Sequence, residues 1–272
     1  MIMIVDTHTH LDMKEFETDR EEVIKRAVDT SVTKMITVGV DLESSKKAVA
    51  LSQKYPEVYA AVGIQPEEID KYMDDELKLK SDFRRDLEEL AANGKVIAIG
   101  EIGLDYKYIK EKSPYAKASG DLRQKQIEIF RRQLGLAVML DLPVIVHCRE
   151  AEEDIVSEMS RYKETKKLRG VIHCFTGTLE EAQQYIDLGF YIGINGIIFK
   201  FNIDEVIKKT SLDKILVETD CPYLTPPAEG KDKRNEPIFI KHVIQKIVDL
   251  KGISFQEVAD KTTENARKLF KI

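Results

Sequence analysis

Ile2-Met3-Ile4-Val5-Asp6-Thr7-His8-Thr9-His10 is a short apolar run, rich in Ile, that ends in two histidines two positions apart. An unbroken β-branched run reads as a strand buried on both faces, as in a parallel sheet. In a strand, residues i and i+2 project to the same side, so His8 and His10 leave the end of a buried element together. Imidazole is the commonest neutral ligand for divalent metals, and a rigid strand fixes both rings before an ion arrives. A lone His-x-His matches by chance often enough that its meaning depends on where the remaining histidines and carboxylates fall.

Outward from this stretch one pattern repeats: a β-branched run, a few polar or glycine residues, then a longer amphipathic stretch. The spacing predicts a helix at about 17–30, with Val23, Ile24, Ala27 and Val28 on one face, then a strand at 35–40 and a helix at about 42–54 that stops before Pro56. A third strand at 58–64 leads into Gln65-Pro66 and a helix marked by Phe83, Leu87 and Leu90, and a fourth strand occupies 96–101. Residues 103–120, rich in Lys and Tyr, interrupted by Pro114 and without period, read as a long loop over a site. Further strands are expected at 143–147, 170–173, 190–194 and 214–220, with helices at about 121–140, 151–162, 179–188 and 204–209 between them and two closing helices at about 236–250 and 254–270. Eight strand-then-helix units with no break in composition predict one (β/α)8 barrel of the TIM type over residues 1–272, with C-terminal helices, rather than an open doubly wound sheet.

The 272 residues are 43% hydrophobic and 33% charged with a net charge of -6, ordinary for a soluble globular protein. Nothing global advertises a polyanion partner, so any nucleic-acid contact must come from local cations or bound ions. No apolar run approaches the ~20 residues that span a bilayer, and the first ten residues lack the basic-then-apolar plan of a signal peptide. The expected address is therefore cytoplasmic, with no membrane partner and no obligate protein partner. Cys148, Cys174 and Cys221 have no disulfide or zinc-finger spacing and read as small buried hydrophobes facing the covering helices.

Catalytic groups of such barrels come from the C-terminal ends of several strands. Here His8 and His10 end the first strand, Glu101 the fourth, His147 the fifth, His173 the sixth and Asp220 the eighth. Four of the five histidines thus sit at strand ends, and only His242 lies in a helix. Four imidazoles and two carboxylates exceed the needs of one open catalytic ion but suit two divalent ions. A bridging Glu101 divides them into His8, His10, Glu101 and Asp220 around one ion and Glu101, His147 and His173 around the other. The mixed nitrogen and oxygen set accepts Mg, Mn or Zn, among others. Asp6 and Glu218, each two residues before a candidate ligand, are expected to hold ligand imidazoles in orientation.

The segments VDTHTHLD, GEIGLDY, LPVIVHCREA, GVIHCFTG, ILVETDCPYLTP and EVADKTTENARKLF, in this order from residue 2 to the C-terminus, resemble the TatD family of metal-dependent deoxyribonucleases. The resemblance implies the (β/α)8 fold of metal-dependent hydrolases, a two-metal site at His8, His10, Glu101, His147, His173 and Asp220, and hydrolysis of DNA phosphodiester bonds, often from the 3′ end. One departure stands out: where family members commonly have Gly-x-His-Pro, this chain has Gly63-Ile64-Gln65-Pro66. Gln65 hydrogen-bonds but carries no positive charge, which bears on substrate contact or proton transfer there.

The expected reaction is therefore metal-dependent ester hydrolysis, most simply a 3′-5′ exonuclease acting on single-stranded DNA ends with two metal ions lowering the pKa of a bound water. Asp220 and Glu101 are the expected catalytic residues, Asp220 accepting the proton of that water. Arg149, Gln65, Lys200, Tyr106 and Arg234 are the expected substrate contacts, together with Lys107, Lys110, Lys112, Lys117, Tyr108 and Tyr115 of the long loop. Two other readings stand beside it. One is a hydrolase of a different ester or amide, such as a D-aminoacyl-tRNA deacylase. The other is a metal-binding protein without turnover.

Overall fold

In the computed structural model, residues 2–74, 76–112, 116–165, 167–230 and 232–272 are described, with 116–120 described by their main chain. Eight strands follow one another around a parallel sheet in sequence order: β1 Ile4–Thr9, β2 Val32–Val38, β3 Val58–Val62, β4 Val96–Asp105, β5 Val144–Arg149, β6 Gly170–Ile172, β7 Tyr191–Ile194 and β8 Ile215–Val217. The sheet returns on itself where the Asp220 N–H donates to the His8 carbonyl (2.9 Å) and the His10 N–H to the Cys221 carbonyl (2.8 Å). This is a TIM barrel, and its closing seam runs between residues of the expected site.

Helices cover the outside: α1 Arg20–Asp29, α2 Leu42–Lys54, α3 Phe83–Ala91, α4 Tyr106–Lys112, α5 Ala116–Leu140, α6 Glu152–Ser160, α7 Leu179–Asp187, α8 Asp204–Lys209, α9 Ile240–Lys251 and α10 Phe255–Phe270. Their starts follow from capping side chains: Asp41 with Ser44 opens α2, and Thr178 with Glu181 opens α7, each pair satisfying two otherwise orphaned backbone donors. One apolar cluster lies between strands and helices, built on Val62, Leu87, Leu134 and Ile155 among others. A second takes residues from all eight strands, including Val5, Ile36, Ala61, Ala98, Ile145, Val171, Tyr191 and Leu216, and therefore fills the barrel itself. Ala266, Leu269 and Phe270 of α10 close it from the end opposite the site, where Thr263 Oγ1 donates to the Met3 carbonyl (2.7 Å).

The fourth strand departs from expectation. It does not stop at residue 101 but continues to Asp105, pairing Gly103 with His147 and Asp105 with Arg149 on β5. Gly103 permits this extension because its φ is +146° and a Cβ there would lie 1.9 Å from the His147 carbonyl oxygen. The stretch expected as a loop over the site is therefore the end of β4, then α4, then the first turns of α5; Pro114 and Tyr115 and the side chain of Lys117 lie outside the described residues.

Candidate metal centre

The end of β1, the interior of β4 and the segments after β6 and β8 bring His8, His10, Glu101, His173 and Asp220 into one cluster at the mouth of the barrel, buried except for the partly exposed Asp220. Asp220 reaches it from a backbone in the left-handed region (φ 59°), a conformation aspartate tolerates better than most residues. His8 Nε2 lies 3.3 Å from His10 Nε2, 3.6 Å from Glu101 Oε2 and 3.7 Å from Asp220 Oδ1, and His10 Nε2 lies 3.4 Å from Asp220 Oδ1. The two oxygens of Glu101 face different partners. Oε2 is turned to His8, while Oε1 lies 3.0 Å from His147 Nδ1 and 3.6 Å from His173 Nε2.

Surrounding groups decide which ring nitrogens are free. His10 Nδ1 is 2.9 Å from the Val38 carbonyl, to which it can only donate, so in the neutral ring the lone pair falls on Nε2, facing the cluster. His173 Nδ1 is held at 3.1 Å by Glu218, leaving Nε2 toward Glu101. The rings of His8 and His173 stack at 3.9 Å between centroids, and His8 Nδ1 is buried with no hydrogen-bond partner. Two imidazole nitrogens 3.3 Å apart and two converging carboxylates form a donor set that fits divalent cations. Among the described residues, His8 with Glu101 and His173, and His8 with His10 and Asp220, form groups whose donor atoms lie within 4.8 Å of one another. His147 belongs to neither group; its Nδ1 touches the cluster through Glu101, and its Nε2 is engaged 3.0 Å from Asp105 Oδ2.

Protonation follows the same contacts. Burial, and then the neighbouring His173, lower the pKa of His8, so its ring stays neutral. Burial also pushes His10 and His147 down, but Asp220 and Glu101 outweigh it for His10, raising it to about 9, and Asp105 with Glu101 raise His147 to about 10. Glu101 is held well below the usual carboxylate range: burial opposes ionisation, and the hydrogen bonds from His147 and His8 overcome it.

Beyond the cluster the expected residues divide. Glu218 touches an imidazole as anticipated and also accepts from the Cys174 N–H (2.8 Å) and Asn195 Nδ2 (3.1 Å). Asp6 does not touch an imidazole. Its carboxylate accepts from Thr219 N (3.0 Å), Thr219 Oγ1 (2.6 Å) and His8 N (3.3 Å), so it fixes the main chain of β1 against the segment leading to Asp220. Desolvation outweighs those bonds and raises its pKa to about 8.

An open cleft of about 530 Å³ lies over the cluster, lined by Gln65, Arg149, Phe201 and Tyr223 as well as by the cluster residues. Arg149 and Gln65, two of the expected substrate contacts, therefore lie in the wall of this cleft. Tyr106 is not: its hydroxyl bonds Asp154 of α6, the Arg123 guanidinium stacks on its ring at 4.1 Å, and it is buried. Arg234 is not either, because it is forked onto Asp19 (2.8 and 2.7 Å), bonded to Glu236 (2.9 Å) and stacked on Phe16. Lys200 is exposed next to Phe201 but does not line the cleft. Lys110 pairs with Glu150 and Lys112 with Asp70, which neutralises much of the lysine-rich stretch. Cys221 is buried, while Cys148, which faces Tyr185 of α7 (3.5 Å), and Cys174, with a positive φ of 48°, pack against the core and also reach the wall of the cleft.

Reading the sequence missed Asp105, Phe201 and Tyr223. The signal for Asp105 was present, since Glu101, Gly103 and Asp105 share a period of two once β4 is allowed to continue. Phe201 and Tyr223 lie outside regular elements and carry no periodicity that would mark them.

The sequence profile of the family described as TatD related DNase matches residues 5–271. A protein of Bacillus subtilis (strain 168) named uncharacterized metal-dependent hydrolase YabD is 39% identical over 99% of this chain and 100% of its own length. One of Citrobacter rodentium (strain ICC168) named 3'-5' ssDNA/RNA exonuclease TatD is 32% identical over 98% of this chain and 97% of its own. The crystal structure of YjjV, a TatD homologue from Escherichia coli K12, superposes with a TM-score of 0.85 at 29% identity, covering 99% of this chain and 98% of that one.

Proposed function

The chain belongs to the family of TatD-related DNases and is a metal-dependent hydrolase, and from that premise we propose that it is a 3′-5′ exonuclease that shortens single-stranded DNA. The observation that carries the reading is Glu101, a buried carboxylate whose two oxygens face separate sets of imidazoles under an open cleft. His8, His10, Glu101 and Asp220 would hold one divalent ion and Glu101, His147 and His173 a second, of Mg, Mn or Zn. Such ions supply Lewis acidity and offset negative charge on a phosphoryl group and its leaving oxygen.

The chain's own residues do the rest. Arg149, half-exposed in the cleft, offers a forked donor to a non-bridging phosphate oxygen. Gln65 donates or accepts one hydrogen bond beside it without adding charge. Asp220 accepts the proton of the attacking water as the new bond to phosphorus forms and the bond to the 3′ oxygen of the preceding nucleotide breaks. Phe201 and Tyr223, 53% and 51% exposed at the cleft, provide faces on which unpaired bases stack. Local groups of this kind explain how a chain of net charge -6 handles a polyanion.

The test is digestion of 5′-labelled single-stranded DNA by metal-stripped protein given Mg, Mn or Zn in turn, with Glu101→Ala alongside. A ladder of progressively shorter labelled strands that the variant does not produce supports the proposal. Intact DNA under every ion, with D-aminoacyl-tRNA deacylated in parallel, moves the reaction to ester hydrolysis of another substrate.

A further inference from the structure

We infer that Asp105 is a positioning residue for the metal centre: its carboxylate holds the Nε2–H of His147, so that Nδ1, the nitrogen on the Glu101 side, is the one that presents a lone pair to a bound ion. The inference rests on the proposed role of His147 as a ligand.

Asp105 closes β4 and is fully buried. Its position is fixed from several sides. Its N–H donates to Gln126 Oε1 (2.9 Å), its carbonyl accepts from Gln126 Nε2 (3.3 Å), and its strand is paired with β5 through Gly103, where no side chain fits. Its two carboxylate oxygens have different partners. Oδ1 accepts from the Tyr108 N–H (2.7 Å), which caps the first turn of α4. Oδ2 lies 3.0 Å from His147 Nε2 and 3.8 Å from Arg149 Nη1.

Capping alone requires one oxygen and no net charge, and asparagine caps as well as aspartate. The second oxygen is what capping leaves unexplained. A neutral imidazole keeps one proton, and the acceptor that holds it decides which nitrogen presents the lone pair. With Oδ2 of Asp105 on Nε2, the presented atom is Nδ1, 3.0 Å from the Glu101 oxygen that also faces His173. A carboxylate behind a ligand imidazole also raises its basicity, which strengthens the ligand.

Asparagine separates the two roles. In Asp105→Asn the amide oxygen can still accept from Tyr108 N–H, which turns the amide NH2 toward His147 Nε2 and favours the opposite tautomer. The experiment titrates Mn²⁺ into metal-free wild type, Asp105→Asn, Asp105→Ala and His147→Ala, counting bound ions and their affinities, with thermal unfolding of each metal-free protein alongside. The expected result is that one of two Mn²⁺ ions binds roughly 10–100-fold more weakly in both Asp105 variants, while the melting temperature of metal-free Asp105→Asn, which keeps the cap on Tyr108, falls less than that of Asp105→Ala. Wild-type Mn²⁺ binding in Asp105→Asn, with one ion lost in His147→Ala, overturns the inference and leaves Asp105 a helix cap. Wild-type binding in His147→Ala overturns the ligand assignment, and the inference with it.

Discussion

Glu218 Oε1 lies 3.1 Å from His173 Nδ1, a contact between two fully or nearly buried side chains from neighbouring ends of the barrel. The same oxygen accepts from Cys174 N and Asn195 Nδ2, so one carboxylate ties the segments after β6, β7 and β8 together. Glu218→Ala would leave three buried donors without their acceptor. An unsatisfied buried polar group costs about 1–3 kcal/mol, so the variant is expected to melt at lower temperature and to bind metal more weakly. Unchanged melting and unchanged metal content would show that the contact does not matter.

Gly193 faces this carboxylate. A Cβ at that position would lie 2.7 Å from Glu218 Oε2 and 3.1 Å from His173 Cα, whereas one at Gly94 would meet nothing within 4 Å. Gly193→Ala is therefore expected to destabilise by about 1–3 kcal/mol through overpacking and to lower metal affinity, with Gly94→Ala neutral or slightly stabilising. Denaturant unfolding of the two variants gives the comparison, and equal stabilities would contradict the geometry.

Arg149 and Arg234, given one role by the sequence, are separated by their partners. Arg149→Ala removes a charge-assisted contact to substrate worth about 1.5–3 kcal/mol and is expected to lower kcat/KM on DNA about tenfold or more, mainly through KM, with little change in melting. Arg234→Ala is expected to lower the melting temperature and spare KM, since that side chain binds Asp19 and Glu236 away from the cleft. Steady-state kinetics and calorimetry on both variants test the distinction; the reverse pattern would overturn it.

Metal loading should release protons. With pKa values raised to about 9 and about 10, His10 and His147 are both protonated at pH 7 in the metal-free chain, and each must lose a proton to serve as a ligand. Affinity is therefore expected to rise with pH from 7 toward 10, as fewer protons need displacing, and level off above that range. The same groups stabilise the metal-free fold below the unfolded imidazole pKa of about 6.5, a contribution lost as pH rises through about 9 to 10. Calorimetric titration of Mn²⁺ in buffers of different ionisation enthalpy reads the proton count directly; no proton release at pH 7 would contradict the assignment.

How much of this was legible in the sequence depended on what fixes each group. The barrel, and the gathering of His8, His10, Glu101, His147, His173 and Asp220 at one end of it, were readable because β-branched runs mark buried strands and the fold rule states where their ends point. Asp105 was hidden by Gly103, which looks like the start of a loop but allows β4 to pass close to His147. Tyr106 and Arg234 sit near site motifs in sequence, yet Asp154, Asp19 and Glu236, distant or unremarkable along the chain, draw them elsewhere. Asp6, like Glu218, stands two residues before a candidate ligand but meets Thr219 first. Strand identity is local information, whereas side-chain partners at the barrel mouth are chosen by tertiary neighbours.

The most direct test of the central claim is anomalous diffraction at the manganese edge from crystals of the Mn²⁺-loaded protein. Two peaks flanking the Glu101 carboxylate, one against His8 and His10 and the other against His147 and His173, are the result expected. A single peak, or peaks out of contact with Glu101, would contradict the two-ion site on which the proposed nuclease chemistry stands.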